Sequence, residues 1–88
     1  MSDFLFRTDD EMLVAEELAR ATEKFGPMAS GHEALAVIEE EFEELKLAIF
    51  WGIDHRGNPA DPRDEAVQLA AMCLRYLRDV PPKGEDRG

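Results

Sequence analysis

The run Glu39-Glu40-Glu41-Phe42-Glu43-Glu44 is the densest group of chemically capable side chains in the chain. Carboxylates are hard oxygen donors, suited to a divalent cation such as Mg²⁺. On a helix turning ~100° per residue, Glu41 falls between Ile38 and Leu45, and Glu44 follows one turn later. Both then flank an apolar stripe, whereas Glu39 and Glu43 point further toward solvent. Side chains three apart have Cβ atoms ~5–6 Å from one another. Two such carboxylates can share a cation through oxygen bonds of ~2.0–2.1 Å. The plainer alternative is a solvated acidic face.

Glu65 is the third candidate, on a stripe with Gln68 and Met72 that is otherwise bordered by apolar residues. Its ordinary role would be to complement the dipole at a helix N-terminus. Three unpaired carboxylates meeting in an apolar groove would repel one another. Either at least one is protonated, or a divalent cation neutralises them, and the cation is the simpler reading.

The elements that must position these residues are three helices. Thr8-Asp9-Asp10-Glu11 is a capping box, followed by apolar residues at Val14, Leu18, Ala21 and Phe25 and stopped by Gly26-Pro27. Ser30 and Glu33 form a second box, and Leu35, Ile38, Phe42, Leu45 and Ile49 keep a 3-4 rhythm from there. Gly52 is a natural residue just past the end, so this helix spans about Gly31 to Trp51. Asp54 through Pro59 is turn chemistry, after which Asp61 caps a third helix with Pro62 at its first position, running to about Asp79. A connection of about ten residues makes the second and third helices antiparallel neighbours, bringing Glu65 toward Glu44.

We therefore expect an all-α antiparallel bundle of three main helices, one domain over residues 1–80, with a disordered tail over 81–88. The third helix is apolar nearly all round, with small residues at Ala66, Ala70 and Ala71, which suits burial on several sides. At 88 residues the chain buries only roughly 60–65% of its unfolded surface. These two features predict completion by a homo-oligomer, a dimer or tetramer.

The formal net charge of −10 argues against binding a nucleic-acid polymer or an anionic membrane. A phosphate-bearing substrate remains open, provided a divalent metal bridges it to the carboxylates. One cysteine, Cys73, forms no internal disulfide, and no Cys/His group has zinc spacing. Met1-Ser2-Asp3-Phe4 lacks the pattern of a secretory signal, and no apolar run approaches the roughly 18 residues of a membrane span, so the expected location is cytoplasmic.

The segment from His32 through Leu45, taken with Asp64-Glu65-Ala66-Val67-Gln68-Leu69-Ala70-Ala71-Met72, resembles the MazG-like all-α nucleotide pyrophosphohydrolase superfamily. The resemblance covers roughly residues 30–80 and rests on E-x-x-type pairs on successive helices. Glu40, Glu41 and Glu44 match E-E-x-x-E; Glu65 matches the first position of E-x-x-D, where Gln68 replaces the Asp. It implies hydrolysis of a nucleoside triphosphate to monophosphate and pyrophosphate, with Mg²⁺ (or Mn²⁺ in its place). It further implies Glu41, Glu44, Glu65 and Gln68 as metal ligands and Glu40, with Glu41, as catalytic. A neutral Gln68 removes one negative charge, consistent with one metal instead of two, a variant branch, or an inactive descendant.

Lys46, Arg56, Arg63 and Arg75 are the cations that could hold substrate phosphates, Arg63 and Lys46 being the primary candidates; surface ion pairing is their ordinary role. His32 and His55 suit local hydrogen bonding or exposure, Met72 suits the core, and Phe50 and Trp51 suit core, interface or base stacking. A ferritin-like di-iron site would want Glu-x-x-His pairs, and neither histidine has a Glu three residues earlier. The stronger rival is a non-catalytic acidic helical oligomer acting as a protein-interaction module.

Overall fold

Cap chemistry sets where each helix begins. The computed structural model describes residues 8–82, within which lie α1 (Asp9–Phe25), α2 (Gly31–Trp51) and α3 (Pro62–Asp79). At the head of α1 the Thr8 hydroxyl accepts from the Glu11 amide at 3.1 Å, and Glu11 accepts from the Thr8 amide at 2.8 Å. The second box is modified: Ser30 accepts from Glu33 N–H at 3.1 Å, but the Glu33 carboxylate takes the amide of Ala29, at 2.5 Å, instead of that of Ser30. Asp61 accepts from Arg63 N–H at 2.9 Å ahead of α3, with Pro62 at the first helical position.

Gly52 closes α2 in a left-handed conformation, φ 69° and ψ 24°, its N–H bonded to the Ala48 carbonyl. The loop beyond it is fastened by an isolated bridge between Ile53 and Pro59 and by Asp54, whose Oδ1 accepts from the amides of Asn58 and Arg56 at 2.9 and 2.8 Å. The Asn58 bond, foremost, holds the Asp54 carboxyl below its usual range. This folded-back loop sets His55 beside α2.

α3 lies between the other two helices and packs on both, while the α1 and α2 backbones stay apart. The fully buried contacts are made by small or flexible residues: Ala21, Ala34, Ala71, Met28 and Met72. Bonds tie both ends of α3 to its neighbours. Arg63 pairs with Asp10 at 2.5 Å, Arg78 donates to Thr22 at 2.8 Å, and Asp79 accepts from the Met28 amide at 3.0 Å.

The burial of α3 departs from its apolar-all-round reading. Gln68, Met72 and Arg75 lie on its inner side, Arg75 at only 5% exposure, while Cys73, Leu74 and Leu77 face out, Leu77 at 71%. Arg75 turns inward because its guanidinium can donate to the Gly26 carbonyl, at 2.7 Å, across the end of α1. Leu35, Phe42 and Ile49, seven apart on α2, are also exposed, as are Phe50 and Trp51. Residues 1–7 and 83–88, including the N-terminal segment and most of the expected tail, lie outside the described residues. No helix among the described residues is long and apolar enough to cross a membrane.

The αL cap makes a direct prediction. A Cβ at Gly52 would meet no atom, so Gly52→Ala tests backbone strain alone. It should destabilise the chain by about 1 kcal/mol in urea unfolding; an unchanged midpoint would mean that the α2 terminus does not need this conformation.

Candidate metal centre and its cleft

Glu41 is the focus of the site. The α2 register half-buries it between Ile38 and Leu45, as the 100° arithmetic requires, and one of its oxygens, Oε1, is fully buried with no hydrogen-bond partner. Burial, then the charge of Glu65, then Glu40, Glu44 and Glu17, push its carboxyl above the usual value. Glu65, in the first turn of α3, is likewise raised, first by burial and then by Glu44, Asp64 and Asp54. The electrostatic neighbourhood therefore joins Glu41, Glu44 and Glu65 across two helices, and α1 adds Glu17.

These carboxylates are not drawn into coordination geometry. Among the described residues no three His, Cys, Asp or Glu side chains stand as a ready metal-binding group. Glu44 is turned aside to His55, with Oε2 at 2.5 Å from Nδ1. Glu17 is held by Arg20, whose Nε and Nη2 donate to its two oxygens at 3.1 and 2.5 Å. The donor set is nevertheless all hard oxygen, and the orphaned Glu41 Oε1 is an acceptor that a divalent cation would satisfy. In that chemical sense the residues fit Mg²⁺.

A cleft of about 420 Å³ opens beside this cluster between α1 and α2 over α3. Its charged lining comprises Glu17, Glu33, Glu40 and Glu41 with Arg20, Lys24 and Arg75, and Gln68 and Phe25 line it too. Glu40 stands exposed at the rim, and Gln68 is half-buried on the same face of α3 as Glu65 and Met72.

The two cations expected to hold phosphates are not in this cleft. Arg63 is engaged with Asp10, and it borders a separate apolar depression with Val14, Leu45 and Ile49. Lys46 pairs with Glu43 at 3.5 Å and lies 5.6 Å from the Phe42 ring. The reason is angular: a residue two positions from a ligand sits about 200° around the helix from it. Arg75, from the wider set of candidate cations, does line the cleft. Glu17, Arg20, Lys24 and Phe25 were missed because they come from α1, and nothing local in their spacing says which side of α3 that helix covers.

No protein-family profile, characterised protein or solved structure matches the chain. The likeness described above rests on its motif residues.

The raised carboxyl at Glu41 has a signed consequence. Its folded value exceeds its unfolded value, so the folded state binds more protons between the two, and stability falls as pH rises through that window. The penalty is complete above the folded value. In metal-free solution at pH 7, Glu41→Gln should raise the thermal midpoint. At about pH 3.5, below the unfolded glutamate value, the gain should vanish. A variant less stable than the natural chain at pH 7 would show that the Glu41 charge is compensated in the fold.

Proposed function

We propose that the chain is a metal-dependent nucleotide pyrophosphohydrolase, hydrolysing a nucleoside triphosphate or related nucleotide to monophosphate and pyrophosphate. The observation that carries this reading is Glu41: a half-buried carboxylate with an orphaned oxygen, set among Glu17, Glu44 and Glu65 and lining a cleft that Lys24 and Arg75 line too. Glu41, Glu44 and Glu65 would hold Mg²⁺, with the Gln68 carbonyl oxygen as a neutral fourth donor. Bound Mg²⁺ would lower the pKa of a coordinated water and offset charge on the phosphates. Glu40, at the rim, would take a proton from the attacking water onto its carboxylate as that water adds to the α-phosphorus and pyrophosphate leaves. Only Oε2 of Glu44 is taken by His55, so Glu44 could join the ligands through Oε1 with His55 orienting the carboxylate.

The first test needs no substrate. Mn²⁺ binding followed by electron paramagnetic resonance should be present in the natural chain and weakened by at least about a hundredfold in Glu41→Gln, a ligand loss being no milder than the loss of a ligand's supporting bond. Pyrophosphate release from a panel of nucleotides should fall in parallel. If the natural chain binds no Mn²⁺ even with a triphosphate present, the catalytic reading fails.

The arrangement we favour is α2 antiparallel to α3, supported by the Met28–Asp79 bond at one end and the Glu44–Glu65 proximity at the other. The Asp10–Arg63 and Thr22–Arg78 bonds support α1 running with α3, so of the two packed pairs only α2 and α3 would be antiparallel. Among the described residues no large side chain is fully buried, and Leu35, Phe42 and Ile49 form an exposed stripe along α2. Apolar surface of that kind is what a homo-oligomer covers, and it is also the feature that favours the second reading, an acidic interaction module. Sedimentation equilibrium should show association in the natural chain and a monomer for Phe42→Glu. A natural chain that is monomeric at high micromolar concentration would remove the self-association reading.

A further inference from the structure

We infer that the Lys24–Phe25–Arg75 end of the cleft is a seat for the ligand's phosphate chain, distinct from the carboxylate end that would hold the metal. The ligand class rests on the proposed function; the seat itself rests on geometry. Arg75 is 5% exposed and lines the cleft. Its Nη2 donates to the Gly26 carbonyl at 2.7 Å, and its Nη1 meets only the Met72 sulfur, at 3.5 Å, a weak acceptor. Its Nε is buried with no partner at all. The nearest acid by charge, Asp79, has its oxygens committed to Arg78 and to the Met28 amide.

Among the described residues, neither Arg75 nor Lys24 has a carboxylate within ion-pairing distance. The chain carries 20 acidic residues against 10 basic ones, so two cations left without acids in one cleft call for an explanation. Desolvating a guanidinium without an anion is unfavourable. Lys24 stands 5.1 Å from the centroid of the Phe25 ring and Arg75 stands 6.0 Å from it, so both cations lie beside one aromatic ring. Phe25 itself is 62% exposed. Lys24 also complements the C-terminal dipole of α1, and Arg75 also ties down Gly26. Those roles use neither the orphaned Nε nor the opening toward the cleft.

A polyphosphate fits both ends. Its oxygens would accept from the exposed Lys24 ammonium, and its negative charge would offset that of the buried Arg75 guanidinium beside it. It could approach the carboxylates that line the same cleft only through a divalent cation, which those carboxylates would hold on the proposed reading. The exposed Phe25 face would then receive a flat ring attached to the chain, the cations holding the anionic part beside it.

Lys24→Gln is the informative variant, because Lys24 is a surface residue and its loss should leave the fold intact. Calorimetric titration of inorganic pyrophosphate in excess Mg²⁺ should show affinity falling about tenfold in Lys24→Gln, the effect of one charge-assisted bond. Mn²⁺ affinity by electron paramagnetic resonance should meanwhile stay unchanged, and Glu41→Gln should do the reverse to Mn²⁺. Pyrophosphate binding equally well to the natural chain and to Lys24→Gln overturns the seat while leaving the metal reading standing. If the natural chain binds no Mn²⁺, the same titration in EDTA decides: pyrophosphate held by the natural chain and lost in Lys24→Gln supports an anion seat without the metal, and no binding in either overturns both.

Discussion

Close approach of helices through small side chains governs this fold. Ala21 on α1, Ala34 and Ala48 on α2, and Ala71 on α3 are at or below 2% exposure, and no larger side chain among the described residues is so completely enclosed. Alanine contacts let α3 sit tightly between its neighbours at little entropic cost, since an alanine has no rotamers to lose. The same contacts fill little volume. Long side chains next to them, Glu41, Gln68, Met72 and Arg75, therefore line a cleft instead of closing a core. The large apolar side chains are pushed outward, to Leu35, Phe42 and Ile49 on α2 and Leu74 and Leu77 on α3. Site and exposed apolar surface are two results of one packing choice.

Electrostatics follows from that geometry. A carboxylate in water tolerates neighbours of its own sign because solvent screens them; Glu41 is half withdrawn and faces four others. Arg75 is more deeply buried still and makes no acid pair. Local bonds pair off several of the other charges: Arg20 claims Glu17, His55 claims Glu44, and Asp79 is claimed by Arg78. Glu41 and Arg75 line the same cleft, and each keeps a buried polar atom without a hydrogen-bond partner.

What the sequence made legible was what depends on neighbours along the chain. Thr8, Ser30, Gly52, Asp61 and Pro62 mark helix ends through hydrogen bonds and backbone angles that need no tertiary contact, and all three helices begin and stop where those residues require. The half-burial of Glu41 and Glu44 was legible too, because 100° per residue relates them to Ile38 and Leu45 on the same element. Arg75 was harder, since an arginine bordering an apolar helix reads as its wet edge; only the Gly26 carbonyl, 49 residues away, makes the inner side favourable. Arg63 misled for the opposite reason. Its nearness to Glu65 along the chain suggested a shared site, yet Asp10 of α1 holds it at 2.5 Å, away from the cleft.

Gln68 is where packing and charge bear on each other most sharply. It occupies the inner face of α3 with Glu65 and Met72, against the cleft that Glu17 and Glu41 line. A fourth carboxylate there would raise the repulsion on Glu41, whose carboxyl is already held above its usual range. The amide relieves that repulsion in the empty cleft and gives up attraction for a cation in the filled one. Neutrality at this position therefore favours a folded chain that persists without metal, and any cation held there would bind less tightly. On the proposed reading Gln68 would not by itself abolish the site, since its carbonyl oxygen is still a hard donor beside Glu41, Glu44 and Glu65.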